Sequence, residues 1–183
     1  MARLPYVDTD DLRAEDRELL ARPINLNRAL VHSPTVFRHF WDTANWIRFD
    51  ATVDGRLREM AILQVGYVAR SPYEWSHHLQ LAPAFGVSDD DVRAIIAESE
   101  GRPSGLAPLD RAVLRLAREM TVDLAGSREA FEAVRAGLGA AGLTEMLMVI
   151  GFYNLVVRYL LTVEIDVEPD YQRFLDAFPL PPR

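Results

Sequence analysis

The fold of this chain is decided by the stretch GRLREMAILQVGYVARSPYEWSHHLQ at residues 55–80. Apolar residues run nearly all round its first half, so we predict a central, buried helix over roughly 55–69 that begins at the cap residue Asp54. Ser71 followed by proline is typical of a helix start, and it predicts a second helix over 72–85. The short turn between them indicates two adjacent antiparallel helices.

Helical spacing of apolar residues recurs along the rest of the chain, and no run alternates between apolar and polar residues as a strand would. Further helix starts are predicted at Asp10, Ser33, Ser88, Pro108, Ser127 and Thr144. We therefore predict an all-α protein, a compact bundle of about eight helices. The prediction is one domain over 1–183, with N-terminal helices in 1–50, a core in 51–100 and C-terminal helices in 106–183.

The composition restricts the classes of function. The formal charge of −7 argues against a nucleic-acid partner, because phosphate binding needs a clustered basic surface. The absence of cysteine excludes disulfides, thiolate metal ligands and thiol redox chemistry. The most apolar run, residues 146–153, is far shorter than the roughly 20 residues of a membrane span, and the N-terminus lacks the apolar segment of a signal peptide. We expect a cytoplasmic protein with no membrane partner.

The segment SPYEWSHH at residues 71–78 fits two interpretations. In the first, Ser71 and Glu74 form a capping box, in which the glutamate side chain only bonds the backbone N–H of the serine. In the second, Glu74 and His78 lie one turn apart on one helix face, where a carboxylate can orient an imidazole and set its pKa. The second interpretation predicts an acid/base pair.

A metal site is a third interpretation, because Glu74 and His77 have the Glu-x-x-His form of di-iron helical bundles. Such sites need a second copy of the motif and two further glutamates, and the chain contains no second copy. His32 and His39 share a helical spacing but lack a carboxylate at ligand spacing. We therefore predict no metal site.

The stretch REMAILQVGYVARSPYEWSHHLQLAPAFGVSDDDV, residues 58–92, resembles the core of the carboxymuconolactone decarboxylase family, which includes the AhpD-like alkylhydroperoxidases. The family pattern has an apolar helix, a cysteine-x-x-cysteine motif or its replacement, and a histidine four residues later. The later segment GFYNLVVRYLLTVEID, residues 151–166, resembles the region after that core in longer members. The resemblance implies an AhpD-like helical bundle.

Residue by residue, the resemblance implies a role for five positions. Glu59 matches the family's relay glutamate, and His78 matches the family histidine. Ser71 and Glu74 stand where redox members carry their two cysteines, and Tyr73 stands where some of those members have histidine. Without a thiol, the peroxidase chemistry of the redox members is excluded. The resemblance is therefore to the cysteine-free, decarboxylase-like branch, which needs no metal or organic cofactor.

The first functional hypothesis is a cofactor-free lyase, decarboxylase or isomerase that acts on a small carboxylated or lactone-like molecule. His78 is expected to be the general acid/base, with Glu74 orienting it or shuttling protons. Glu59, if buried, is expected to have a raised pKa and to serve as a second acid.

Four further residues are candidates for binding the substrate of such a reaction. An enolate intermediate needs a hydrogen-bond donor, and Tyr73 or Ser71 could supply it. An anionic substrate needs a cation, which Arg58 or Arg70 could supply, and the sequence leaves both open.

The second hypothesis is a non-catalytic, small-molecule-binding helical protein on the same scaffold. Under both hypotheses we expect a homo-oligomer, because residues 146–161 carry more apolar side chains than one core needs. The family resemblance implies a trimer or a trimer-based hexamer.

Overall fold

The structure, a computed structural model, describes residues 2–182 and contains no strand within that range. The predicted all-α bundle is confirmed. Its α-helices are α1 (Asn25–Leu30), α2 (Pro34–Asn45), α3 (Gly55–Val68), α4 (Pro72–Leu81), α5 (Asp89–Ser99), α6 (Pro108–Val122), α7 (Arg128–Val163) and α8 (Gln172–Ala177).

Helix α3 is the centre of the bundle, as its apolar sequence predicts. One side, with Leu57, Ala61 and Val65, packs into a core shared with α6 and α7. The other side, with Met60 and Leu63, packs into a core shared with α4 and α5. A helix that is apolar all round is stable only when every face is covered, and α3 meets that condition.

The turn from α3 to α4 brings these two helices unusually close. A Cβ atom on Gly66 would lie 3.3 Å from the backbone nitrogen of Trp75 and 3.4 Å from Cγ of Glu74. The backbone N–H of Ser71 donates to the carbonyl of Gly66 at 3.0 Å, which closes the turn. The glycine therefore lets the first turn of α4 lie directly on α3.

The last long helix corrects one sequence prediction. Thr144 was expected to cap a new helix, but its hydroxyl donates to the carbonyl of Ala140 from within α7. The actual break is a kink at Gly139, whose φ of 70° is open only to glycine at little cost. By length and composition α7 is the one helix among residues 2–182 that could span a membrane, but Met146 and Ile150 on it are buried in the core.

The N-terminal segment also differs from the prediction. Asp10 was expected to cap a first helix; instead, two short 3-10 turns, Thr9–Asp11 and Ala14–Leu20, follow Asp8. This segment is tied to the residues after α7, since the Tyr6 hydroxyl donates to Asp166 at 3.0 Å.

The C-terminal segment after α7 crosses α4. The indole N–H of Trp75 donates to the carbonyl of Phe178 at 2.7 Å, and His77 on the next turn bonds Glu168. Both ends of the chain thus pack around the helix that carries SPYEWSHH.

Glu145 on α7 holds the loop that leads into α3. Its carboxylate accepts hydrogen bonds from the backbone N–H groups of Thr52 and Val53, at 2.8 and 3.0 Å, and from the Thr52 hydroxyl at 3.0 Å. We expect Glu145→Ala to lower the free energy of unfolding by about 1–2 kcal/mol, because it removes three hydrogen bonds to a charged carboxylate at a largely exposed site. Urea denaturation measures the loss. Glu132→Ala, which removes one exposed pair with Arg135, is the control and should change stability by less than about 0.5 kcal/mol. Equal losses in the two variants would contradict the bracing role of Glu145.

Candidate active site

Glu74 does not form the predicted capping box. The Ser71 hydroxyl accepts the backbone N–H of Glu74 at 3.5 Å, so the serine does cap α4. The reciprocal bond is absent, because the backbone N–H of Ser71 donates to Gly66 instead. The Glu74 side chain points toward His78, and the interpretation of this glutamate as a mere helix cap is wrong.

The imidazole of His78 lies between two carboxylates. Its Nδ1 is 2.6 Å from Oε1 of Glu59 on α3, and its Nε2 is 3.0 Å from Oε1 of Glu74 on α4. All three side chains are buried, with exposed fractions of 11% for His78, 3% for Glu59 and 4% for Glu74. The close packing of α3 on α4 therefore brings the three predicted catalytic residues together.

The two carboxylates keep the imidazole charged. Burial by itself would lower the pKa of His78, but the negative charges of Glu59 and Glu74 raise it to about 10 overall. At neutral pH the ring is an imidazolium with a proton on each nitrogen, and Nδ1 donates to Glu59. His78 thus stays protonated at pH 7, whereas the general acid/base role expected from the sequence needs a ring that can also take up a proton.

Glu74 keeps unused hydrogen-bonding capacity. Its Oε1 is buried and accepts no hydrogen bond from any residue in the described range 2–182, although it lies at ion-pair distance from His78. The N–H of Nε2 is therefore poorly aligned with this oxygen. This oxygen can therefore still accept a hydrogen bond from a ligand.

These charged groups lie in the wall of a partly enclosed cavity between α2, α3, α4 and α7. Large apolar side chains form much of its surface, namely Leu26, Phe40, Trp41, Ile47, Ile62, Phe85, Phe152 and Val156. A small number of polar groups in an apolar cavity is the usual composition of a small-molecule site.

Tyr153 on α7 is a site residue that sequence reasoning missed. Its ring meets the His78 ring edge-on, with centroids 5.0 Å apart, and it lines the cavity. Burial, with the nearby charges of Glu74 and Glu59, raises the pKa of its hydroxyl well above the ordinary value. The phenol therefore stays neutral and can donate a hydrogen bond. The only signal for it was its place in the segment 151–166.

The structure places only some of the predicted substrate-binding residues in the cavity wall. Arg58 lines the cavity, whereas Ser71 is used as the cap of α4 and Arg70 lies exposed in the turn before it, outside the cavity wall. Tyr73 is in the wall, but its hydroxyl accepts from the backbone of Leu26 and donates to Glu168. The sequence did not single out two further cavity cations, Arg22 and Arg48.

His77 also lines the cavity, but it pairs with a different carboxylate from His78. Its ring is stacked between Tyr73 and Tyr171, with centroids 4.0 and 3.6 Å apart, and its Nε2 lies 2.8 Å from Glu168. Burial lowers the pKa of His77, so this ring is neutral. The two ends of the Glu-x-x-His pattern thus have different partners, and residues 2–182 contain no cluster of three side chains suited to hold a metal ion.

Comparisons with solved structures give the fold. An uncharacterized peroxidase-related protein with an alkylhydroperoxidase AhpD core, from Ralstonia eutropha JMP134, matches at a TM-score of 0.79 and 18% identity over 95% of each chain. A peroxidase-related protein from Silicibacter sp. TM1040 matches at 0.71 and 17% identity over 93% of each chain. At these identities the similarity establishes the AhpD-like fold alone.

A third similar structure contains a ligand. A variant of the debrominase Bmp8, with a cysteine replaced by alanine and 2,3,4-tribromopyrrole bound, matches at a TM-score of 0.72 and 16% identity over 89% of this chain and 86% of that one. No functionally curated protein matches the sequence.

Residues 34–119 match the family model described as the carboxymuconolactone decarboxylase family. This segment contains α2 to α5 and most of α6, and with them Glu59, Glu74 and His78. The match, together with the AhpD-like fold, makes the segment that carries these three residues similar to the carboxymuconolactone decarboxylase family, in a chain without cysteine.

Proposed function

We propose that the protein is a cofactor-free lyase, decarboxylase or isomerase that transfers a proton on a small carboxylated or lactone-like molecule. The observation that carries the proposal is the buried Glu59–His78–Glu74 group in the wall of a largely apolar cavity. Charged groups are costly to bury, and an arrangement of this kind is typical of acid/base sites.

Glu74 is the base in this proposal. Its carboxylate takes a proton from a carbon next to a carbonyl group, and the electron pair of the broken C–H bond becomes part of an enolate. The poorly satisfied Oε1 favours this role, because protonation removes a buried charge that few donors stabilise. This exchanges the roles expected from the sequence, in which His78 was the base.

His78 and Tyr153 stabilise the enolate. The imidazolium has one proton on Nδ1, directed at Glu59, and a second on Nε2 that faces the Glu74 side of the cavity. A donated hydrogen bond from Nε2, with another from the neutral Tyr153 hydroxyl, offsets the negative charge that develops on oxygen. Glu59 touches only the far nitrogen and keeps the ring oriented and charged.

The completion of the reaction depends on the substrate. Return of the proton from Glu74 to a different carbon completes an isomerisation. In a decarboxylation, the enolate forms as carbon dioxide leaves, and a proton from the imidazolium takes its place on carbon. The apolar part of the wall lowers the local dielectric constant, which strengthens these charge interactions.

The fold by itself does not select the reaction, because a debrominase with a similar fold was solved with a brominated pyrrole bound. A non-catalytic binding protein on the same scaffold is the alternative, and it makes a different prediction for Glu74. A binding protein needs the cavity but not a base.

We expect the protein to catalyse the exchange of acidic C–H protons for deuterium when small oxo acids or unsaturated γ-lactones are dissolved in D₂O. Proton NMR measures the exchange rate for each compound. Glu74→Gln should lower the exchange rate by about 10²-fold or more, because the amide cannot act as a base. His78→Ala should be at least as damaging, since it removes the cation that stabilises the enolate.

His39→Ala is the control, because His39 is exposed and lies outside the cavity. Its exchange rate should equal that of the wild type. Thermal denaturation of each variant separates loss of catalysis from loss of folding. Equal exchange in wild type, Glu74→Gln and His78→Ala would refute the proposed acid/base reaction and favour the binding protein.

The protonation state of His78 can be measured without a substrate. Its raised pKa means that its contribution to stability is fully present below about pH 6.5 and is lost as the pH rises through about 10. We expect ¹⁵N NMR of the ring to show an imidazolium at pH 8, and a lower pKa in Glu59→Gln. The chain has no lysine, so no lysine titration overlaps this range. Titration near pH 6.5 would contradict the proposed roles.

We also propose a homo-oligomer, by family resemblance a trimer or hexamer, formed through the exposed face of α7. Met148 and Leu155 on this face are 55% and 56% exposed. We expect light scattering at micromolar concentration to give a multiple of 20.7 kDa, and Leu155→Glu to reduce it. A monomer mass for the wild type would overturn this proposal.

A cytoplasmic location stays a prediction.

A further inference from the structure

A short π-helical turn forms one rim of the cavity. Residues Trp46–Asp50 follow α2 directly, and the backbone N–H of Ala51 donates to the carbonyl of Trp46 at 2.9 Å, a bond that spans five residues. The turn buries Ile47 and leaves Phe49 71% exposed, while Arg48 between them lines the cavity. Turns of this type are rare and occur often at functional sites.

Arg58, one of the two candidate cations that the sequence left open, holds this turn in place. Its guanidinium donates to the backbone carbonyls of Val53 at 3.0 Å, of Arg48 at 3.4 Å and of Ala51 at 3.5 Å. It also lies over the ring of Phe85, 5.6 Å from its centroid. Most of its hydrogen-bonding capacity is therefore used within the protein.

Arg48 differs from Arg58 in having no such partners. Within residues 2–182 its guanidinium forms no hydrogen bond and no ion pair with a carboxylate, and it lies over the exposed ring of Phe49, 5.6 Å from the centroid. The positive charge of Arg48 also acts on Tyr153 in the cavity wall. It lowers the pKa of the Tyr153 hydroxyl, although burial raises that pKa by more. It is thus a cation near the acid/base group with its donors free.

The charges in the cavity wall favour an anion. Arg22, Arg48, Arg58 and the imidazolium of His78 are positive, whereas Glu59 and Glu74 are negative. The wall therefore has an excess of positive charge in a chain whose formal charge is −7. In a low-dielectric cavity this excess attracts an anion more strongly than it would in water.

We propose that Arg48 is the specificity-determining residue of the site and binds the carboxylate of the ligand, while Arg58 only holds the π-turn that positions it. This inference rests on the proposed function for the identity of the site. A carboxylate at Arg48 directs the other end of a small ligand toward Glu74, His78 and Tyr153. A planar guanidinium suits this task because it can bind a carboxylate through two parallel hydrogen bonds.

The test compares two probes of one shape and different charge, 2-furoate and furan-2-carboxamide, by titration calorimetry with the full chain. We expect the wild type to bind 2-furoate about 10-fold or more tightly than the amide. Arg48→Gln should remove this preference by weakening only 2-furoate binding, and Arg48→Lys should restore part of it. Arg13→Gln is the control, because Arg13 is exposed and lies outside the cavity.

The inference would be overturned if the wild type bound 2-furoate no more tightly than furan-2-carboxamide. It would also be overturned if Arg48→Gln kept the wild-type preference for 2-furoate, or if Arg22→Gln lost that preference while Arg48→Gln kept it. Arg48 is exposed, so its variants should keep the wild-type melting temperature, and Arg58→Gln should lower it. Neither probe needs to react, so the two proposals fail separately. An Arg48-dependent preference without deuterium exchange contradicts only the proposed function, and exchange without that preference contradicts only this inference.

Discussion

The ion pair between His78 and Glu59 is the interaction on which the site depends. It joins α3 to α4 through a 2.6 Å contact in the interior of the bundle. A buried imidazolium is stable only when its charge is compensated, and a buried carboxylate has the same requirement. Each therefore stabilises the charged form of the other. The approach of the two helices at Gly66 brings them within reach, so packing and electrostatics act together.

Glu74 stands in an unequal position beside this pair. Glu59 and His78 satisfy each other, whereas Glu74 shares the charge of the ring without a well-aligned hydrogen bond. The pair is therefore a fixed structural unit, and Glu74 is the member of the group whose oxygen is open to a hydrogen bond from a ligand.

The cavity brings together distant parts of the chain around that unit. The loop before α3 is held by Glu145 of α7 and by Arg58 of α3, and this loop follows the π-turn with Arg48. On the other side, the C-terminal segment holds His77 through Glu168. The rims of the site are thus fixed by contacts between segments about 90 residues apart, which makes its shape a property of the whole bundle.

The sequence by itself determined the helical class, the pairing of α3 with α4 and the residues Glu59, Glu74 and His78, because helical periodicity and caps are local and the family motif lies in one continuous stretch. Only the tertiary structure decided how these residues are arranged and which of them form ion pairs. Whether Glu74 caps a helix or faces an imidazole depends on where Ser71 finds its acceptor, and the charge of His78 depends on a carboxylate from another helix. Tyr153 and Arg48 reach the cavity from elements that are separate in sequence, and no local pattern encodes that meeting.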